Sequence, residues 1–491
     1  MAEEIVINVS PHETRVAVVE NGLLQEIFVE RTHTRSTVGN IYKGKIVRIL
    51  PGMQSAFVAI GQEKAAFMHI TDVVEATGNP DHRLSHKDLP PIVSILHEGK
   101  ELLVQVSKEP IGTKGARITS NISFASRYLV YMPNSNHVGI SQRIEDEEER
   151  ERLRGLLHEV GAGETDGFIV RTASEGISGE EICRDAKLLR ARWRKVQEEA
   201  GETEPERLVY EDLPLPLRAM RDIINAGTQR IVVDDKDLHD ALSRFLTDFI
   251  PDKLNSLCLT ETDSQLFATH NLEDQIEQAL DQQVPLKSGG YLIIDQTEAM
   301  TTVDVNTGAF VGRKDLEETI YRTNLEAALA IPRQLRLRNI GGIVIIDFID
   351  MLDEEHKRQV LRTLEKGQQA DRVKWNISQI SDLGLVEMTR KRTRESLMKM
   401  LCEPCETCNG RGFIKSAESV CPEIFRDITA QRSDFERGGC LVMASQSVVD
   451  RLIDEDADVV KSLSGLIGVP IRIEVESSYN QEQFDVVVTR A

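Results

Sequence analysis

Two short runs constrain this chain more than anything else in it: Thr302-Val303-Asp304-Val305-Asn306-Thr307-Gly308 and Ile345-Ile346-Asp347-Phe348-Ile349-Asp350. The first reads as a strand over Thr301 to Asn306, following another over Tyr291 to Thr297. Alternation places Asp304 and Asn306 on one face and Val303 and Val305 on the other. In the second run, Gly341-Gly342 opens the apolar stretch Ile343 to Ile346, the pattern of a strand buried on both faces. Leu316 to Ile331 reads as a helix ended by Pro332. Strand, helix and strand in that order predict a crossover with the strands parallel. Asp304 and Asp347 then meet at one rim, the carboxyl edge where open α/β sheets keep their ligands.

Two carboxylates and an amide oxygen are hard donors, a set that suits Mg²⁺ with phosphate oxygens as its remaining partners. A metal there polarises a phosphodiester and acidifies a bound water. The bland alternative is that these acids cap turns or make ion pairs. Asp350 is the weaker candidate, because strand alternation turns it away from the Asp347 face.

A chain of 491 residues predicts two to four domains. Thr14 to Glu20 and Leu23 to Glu30 flank Asn21-Gly22, a tight hairpin. From Val38 to Ile122 short strands suggest a small barrel. From Ser141 the pattern turns helical, with Asp146/Arg150 and Glu148/Arg152 as i,i+4 pairs. A further helix starts at Ser178 with a capping box to Glu181. Its apolar face is Ile182, Ala186, Leu189, Trp193 and Val196. A compact α+β module closes the chain. Lys plus Arg is 59 against 80 for Asp plus Glu, a net charge of −21 that excludes binding nucleic acid by bulk positive charge. No apolar run reaches the length of a membrane span. The acidic start MAEEIVINVS has no export leader, so a cytoplasmic location is expected.

Cys405-Glu406-Thr407-Cys408-Asn409-Gly410-Arg411-Gly412 is a CxxCxGxG element, two thiolates spaced for one Zn²⁺. Zinc wants four ligands. Either Cys402 and Cys421 complete the set, or a second chain brings its own pair. Asn40 to Arg48 is basic with no acid inside it, and Phe57 and Phe67 follow, with Lys108, Lys114 and Arg117 on later strands. Small barrels hold single strands in this way, bases on aromatics and cations along the backbone. The plainer fate of a strand Phe is the barrel core. Arg333/Arg336/Arg338 and Arg390/Lys391/Arg392/Arg394 are basic runs bracketing the carboxylates. Gly167-Phe168-Ile169-Val170-Arg171-Thr172 delivers a guanidinium and a hydroxyl into one loop, a pairing that suits a terminal phosphate.

In that order and spacing, NIYKGKI, GFIVRT, TVDVNTG, IVIIDFIDM and CETCNGRG closely resemble the ribonuclease E/G family of bacterial endoribonucleases, over essentially the whole chain. The resemblance implies an α/β multidomain fold. An RNase H-like scaffold (1–36 and 216–279) is interrupted by an OB-fold RNA-binding domain (37–122) and a 5′-end sensor (123–215). A DNase I-like catalytic domain (280–400), a zinc link (401–415) and a small C-terminal α+β domain (416–491) follow. It implies that Asp304 and Asp347 hold catalytic Mg²⁺ with Asn306 orienting the site, and that Cys405 and Cys408 share structural Zn²⁺ between two chains, leaving Cys402 and Cys421 unliganded. Phe57, Phe67 and Lys114 match RNA-contacting positions, which reverses the core reading of the two Phe. Arg171, Thr172 and Val130 match the 5′-monophosphate pocket. Ser126 stands where the tailed members carry a glycine, and Gln142, followed by Arg143, where they carry an arginine. The chain's end at Ala491 on a folded module fits the members without a long disordered tail.

The implied activity is Mg²⁺-dependent hydrolysis within single-stranded, A/U-rich RNA, stimulated by a 5′ monophosphate. The implied roles are ribosomal RNA 5′-end maturation and messenger decay, in a homodimer or a dimer of dimers. A competing reading is a catalytically inactive RNA-binding scaffold. A chaperone-type zinc element is excluded because such domains repeat the CxxCxGxG unit, and here it occurs once.

Overall fold

The computed structural model describes residues 3–33, 35–73, 89–110, 115–163, 166–260, 265–308, 316–381 and 383–490. The chain divides into two compact units, Met1–Met400 and Leu401–Ala491. In the first unit, Glu3–Val9, Glu13–Glu20 and Leu23–Arg31 make an antiparallel meander. Its turn holds Asn21 at φ 51° and Gly22 at φ 78°, the positive angles the tight hairpin demands. Thr228–Val233 adds to Glu3–Val9 in parallel, and Leu257–Leu259 adds beyond it. One sheet is therefore built from segments more than 200 residues apart, with two insertions between them, while the helix Leu215–Asp222 packs in the sheet's own core.

The first insertion is a small closed barrel of β1 (Ile41–Leu50), β2 (Ser55–Ala59), β3 (Ala66–His69), β4 (Glu101–Lys108) and β5 (Arg117–Thr119). Pairing runs β1-β2-β3-β5-β4, and β4 returns to β1, which makes an OB-like five-stranded barrel. Ile46, Ala56, Val58, Ala66, Met68, Val104, Val106 and Ile118 fill it.

The second insertion is a four-stranded sheet (Phe124–Ala125, Leu129–Met132, Val138–Ile140, Gly167–Val170) carrying helices Glu147–Glu159 and α1 (Gly179–Glu202). Ser178 caps α1, its Oγ accepting from the Glu181 amide at 3.4 Å and donating to the Glu181 carboxylate at 3.0 Å. The apolar face is as read: Ile182, Ala186, Leu189 and Val196 are buried, and Trp193 packs 6.0 Å from Phe124. The ion pairs on the preceding helix form at i,i+3 instead, Arg150 with Glu147 and Arg152 with Glu149. Asp146 is unavailable to Arg150 because it caps the helix through the Glu148 amide.

The last sheet of this unit has β6 (Gln283–Pro285), β7 (Tyr291–Gln296), β8 (Met300–Asn306), β9 (Gly342–Asp347), β10 (Trp375–Ile380) and β11 (Leu385–Arg390) in the order β6-β7-β8-β9-β11-β10. β8 and β9 are parallel, as the crossover predicts. The connecting helix α2 (Leu316–Leu337) does not stop at Pro332. Ile331, Pro332 and Leu335 are buried in the core, and this packing offsets the missing amide. The carbonyl that would have taken that amide's bond, Ala328 O, lies beside Gly367 of α3 (Glu354–Gln368). β9 is not covered on both faces either. α2 and α3 back one side, where Val344 and Ile346 are fully buried, while Ile343 is 46% exposed on the other. That uncovered face carries the carboxylates.

The second unit is a three-stranded sheet (Ile471–Val475, Gly438–Ala444, Phe484–Arg490) with helices Ala417–Ala430, Gln446–Ile453 and Ala457–Ile467. It is the α+β module expected. Among the described residues no helix is long and apolar enough to cross a membrane.

Candidate active site

Parallel pairing sets Asp304 directly opposite Asp347 in register, on strands about 4.8 Å apart. Both side chains are exposed on the open face, while Val303, Val305 and Ile346 anchor the strands beneath. Asn306 Nδ2 donates to Asp304 Oδ2 at 2.8 Å, so the amide orients one carboxylate and its nitrogen, not its oxygen, faces the pair. The Asp347 carboxyl is held above the ordinary range by desolvation, then by the negative charges of Asp304 and Asp350. Asp350 therefore belongs to the electrostatics of the site. The alternation argument against it fails because β9 ends at Asp347 and Asp350 lies in the loop beyond. No group of three or more His, Cys, Asp or Glu converges among the described residues.

On the barrel, Phe57 and Phe67 face each other across β2 and β3 with ring centroids 6.1 Å apart and an interplanar angle of 69°. Their strand neighbours Ala56, Val58, Ala66 and Met68 point inward and are fully buried. The two rings lie on the outside, half-buried, and the core reading of them does not hold. Register extends this row, Arg48 beside Phe57 and Arg117 beside Phe67, with Lys108 paired to Arg117. Arg117 is also paired with Asp72 at 2.9 Å. Lys114 lies outside the described residues. Lys43 is not part of this row, since its ammonium donates to Thr203 O at 2.9 Å at the end of α1.

In the four-stranded sheet, Val130 pairs with Ile169 on the side away from buried Leu129, Tyr131, Phe168 and Val170. Arg171 leaves that edge with one nitrogen bonded to Ser126 O and the other to Asp222 Oδ1 at 2.6 Å. Asp222 ends the helix Leu215–Asp222, 51 residues on, and no local pattern flagged it. Thr172 Oγ1 is 2.9 Å from Ser141 Oγ. The Ser126 hydroxyl turns inward to buried Asp185 and to Leu129 O, and Gln142 is exposed.

Cys405 is exposed and Cys408 half-buried, in a turn with Asn409, Gly410 and Gly412 at positive φ. Backbone amides of Cys408 and Thr407 lower the Cys405 thiol pKa, which favours the thiolate a metal needs. Cys402 is exposed. Cys421 is fully buried in the C-terminal core, and burial pushes its thiol up to about 11, so it does not serve an exposed metal site.

The two basic runs are mostly interior. Arg336 and Arg338 are under 10% exposed, bonded to Gln25 Oε1 (2.7 Å) and Asp281 O (2.5 Å), and Arg333 donates to Leu24 O. Arg390 is buried against Asp371, and Arg394 lies 3.9 Å over the Phe28 ring. Only Lys391 and Arg392 of these residues face outward.

An open α/β sheet with two facing acids and, in the same unit, an OB-like barrel that shows aromatic rings and cations define a class of multi-sheet proteins. The model of the ribonuclease E/G family matches residues 123–393. Ribonuclease G of Salmonella typhimurium (strain SL1344) is 48% identical over 492 residues, 99% of this chain and 100% of that protein. Ribonuclease G of Haemophilus influenzae is 48% identical over 489 residues, 99% of each chain. Ribonuclease E of the latter organism is 34% identical over 475 residues, 96% of this chain and 50% of its own length. The chain belongs to the ribonuclease E/G family.

Proposed function

We propose that this protein is an Mg²⁺-dependent endoribonuclease that cuts within single-stranded RNA, leaves 5′-phosphate and 3′-hydroxyl ends, and prefers substrates with a 5′ monophosphate. Its roles are ribosomal RNA 5′-end maturation and messenger decay in the cytoplasm. The observation that carries the reading is Asp304 facing Asp347 across two parallel strands on an open sheet face.

The donor set fits a divalent ion. Asp304 and Asp347 would hold it, and a cation would offset the desolvation and the neighbouring negative charges that raise the Asp347 pKa. When bound, the ion polarises the scissile phosphate and lowers the pKa of its water. Asn306 keeps the Asp304 carboxylate turned toward the site. Phe57 and Phe67 offer faces for bases, and Arg48, Lys108 and Arg117 track the phosphates. Arg171 and Thr172 form the 5′-phosphate pocket, where a phosphate competes with Asp222 for the guanidinium. Gripping the strand at both places raises the effective concentration of the scissile bond.

In this reading the interrupted sheet of residues 3–31 and 228–259 is the RNase H-like scaffold, residues 123–215 are the sensor, and residues 280–400 are the DNase I-like catalytic domain. Cys405 and Cys408 bind Zn²⁺ jointly with the same pair of a second copy, making a homodimer that can pair again.

A short 5′-monophosphorylated oligonucleotide should be cut with Mg²⁺ and left intact with chelator. Cleavage that survives chelation would refute the reading. Phe57→Ala and Phe67→Ala should each weaken oligonucleotide binding, measured by anisotropy in chelator, roughly tenfold, since stacking contributes about 1–3 kcal/mol per base. A lower melting temperature with unchanged affinity would instead make the rings structural.

A further inference from the structure

The loop from β9 to α3, residues 348–353, follows directly on Asp347 and carries Asp350. Among the described residues it pairs with no strand beyond Asp347. A buried side chain takes that place. Asn324, on α2 and fully buried, donates through Nδ2 to Ile349 O at 2.7 Å and accepts at Oδ1 from Ile349 N at 3.1 Å. One amide thus satisfies both backbone groups of the residue two beyond Asp347, as an adjacent strand would. Seven residues earlier on α2, Glu317 Oε1 accepts from Leu352 N at 3.1 Å and Asp353 N at 3.3 Å. Between them, the Tyr321 ring stacks on His356 of α3 with centroids 4.0 Å apart. Two turns of α2 therefore clamp the loop along one line, and among the described residues only the Asn324 side chain both donates to it and accepts from it.

We propose that Asn324 is a positioning residue for the cleavage reaction, fixing the Asp347–Asp350 segment so that Asp347 stays opposite Asp304. The inference rests on the catalytic reading of the two acids. A carboxylate in place of the amide keeps the shape but cannot donate to Ile349 O, and sets two acceptors against each other. Misplacement by about 1 Å at a reacting centre can cost on the order of 10²-fold in rate. RNA binding draws on the barrel and the sensor, so affinity is spared.

The test uses the full chain and a single-stranded oligonucleotide with Mg²⁺. Asn324→Asp should lower kcat tenfold or more with KM within twofold of the parent. Affinity in chelator should also stay within twofold. Asn324→Ser, which retains a hydroxyl in place of the fork, should fall between. If Asn324→Asp melts earlier but keeps kcat within twofold, the residue is merely structural and the inference is overturned. Should the Asp variant not fold, the Ser variant carries the same comparison, and failure of both to fold overturns the inference. Asp304→Asn is run alongside. Undiminished cleavage there refutes the carboxylate reading and the inference with it. Its inactivity beside an unimpaired Asn324→Asp refutes the inference alone.

Discussion

Asp304→Asn is expected to reduce cleavage by about 10³-fold or more while leaving oligonucleotide affinity in chelator within twofold of the parent. The lower bound follows from what a single electrostatic contact at a developing charge is worth, about 10²–10³-fold, and Asp304 also serves as a metal ligand in this reading. Affinity is spared because the Phe57/Phe67 pair sits on a different sheet. The same substitution has a second consequence in the metal-free protein. Asp347 holds its proton to a higher pH in the folded chain than in the unfolded one, partly because Asp304 is opposite. Folding therefore loses stability as pH rises through the folded value, and regains it as pH falls back through the ordinary carboxylate range. Removing the Asp304 charge lifts part of that penalty. The variant should melt at or above the parent temperature in chelator near pH 7, with the difference vanishing below about pH 3. A variant that still cleaves at the parent rate would eliminate the acid pair as the catalytic centre. A parent inactive with Mg²⁺ would instead favour an RNA-binding scaffold.

The acid pair was legible because three local rules agreed. Alternation put Asp304 and Asn306 on one face, the apolar run fixed β9, and the helix between required parallel strands. Register then followed. What escaped the sequence were partners fixed by the tertiary fold. Residues 56–58 and 66–68 are apolar throughout, so no polar neighbour marked which parity of β2 or β3 faces out, and only barrel closure turned Phe57 and Phe67 away from the core. Arg333, Arg336 and Arg338 look like a solvated face until Leu24, Gln25 and Asp281 arrive from elsewhere in the chain. Pro332 reads as a stop, yet α2 continues because its apolar side is needed in the core. Asp222 is invisible beside Arg171 for the same reason, being 51 residues distant. Short-range patterns determined the elements, and long-range polar pairing determined the uses of the arginines.

That distinction can be measured at Arg390. Its guanidinium donates to Asp371 at 2.6 and 3.2 Å and to Ile340 O at 2.8 Å, and both members of the pair are under 5% exposed. Gln368 and the Val373 amide complete the shell of Asp371, and Arg390 ends β11 opposite Gly342 at the entry to β9. Arg390→Met would strand a buried carboxylate and a carbonyl, a loss of about 3–5 kcal/mol for a broken buried pair. That corresponds to a melting temperature lower by roughly 10 °C. Replacing both partners, Arg390→Met with Asp371→Leu, should recover much of it, because the desolvation penalty leaves with the second charge. Well below the melting transition, Arg390→Met should bind a short single strand as the parent does, with the same salt dependence. Lys391→Ala, one residue on and exposed, should leave the melting temperature within a degree or two; if that residue touches phosphate, the salt slope falls by about 0.7, the single-strand value. An Arg390→Met protein that melts normally but loses RNA affinity would show that the run serves the nucleic-acid surface and not the interior.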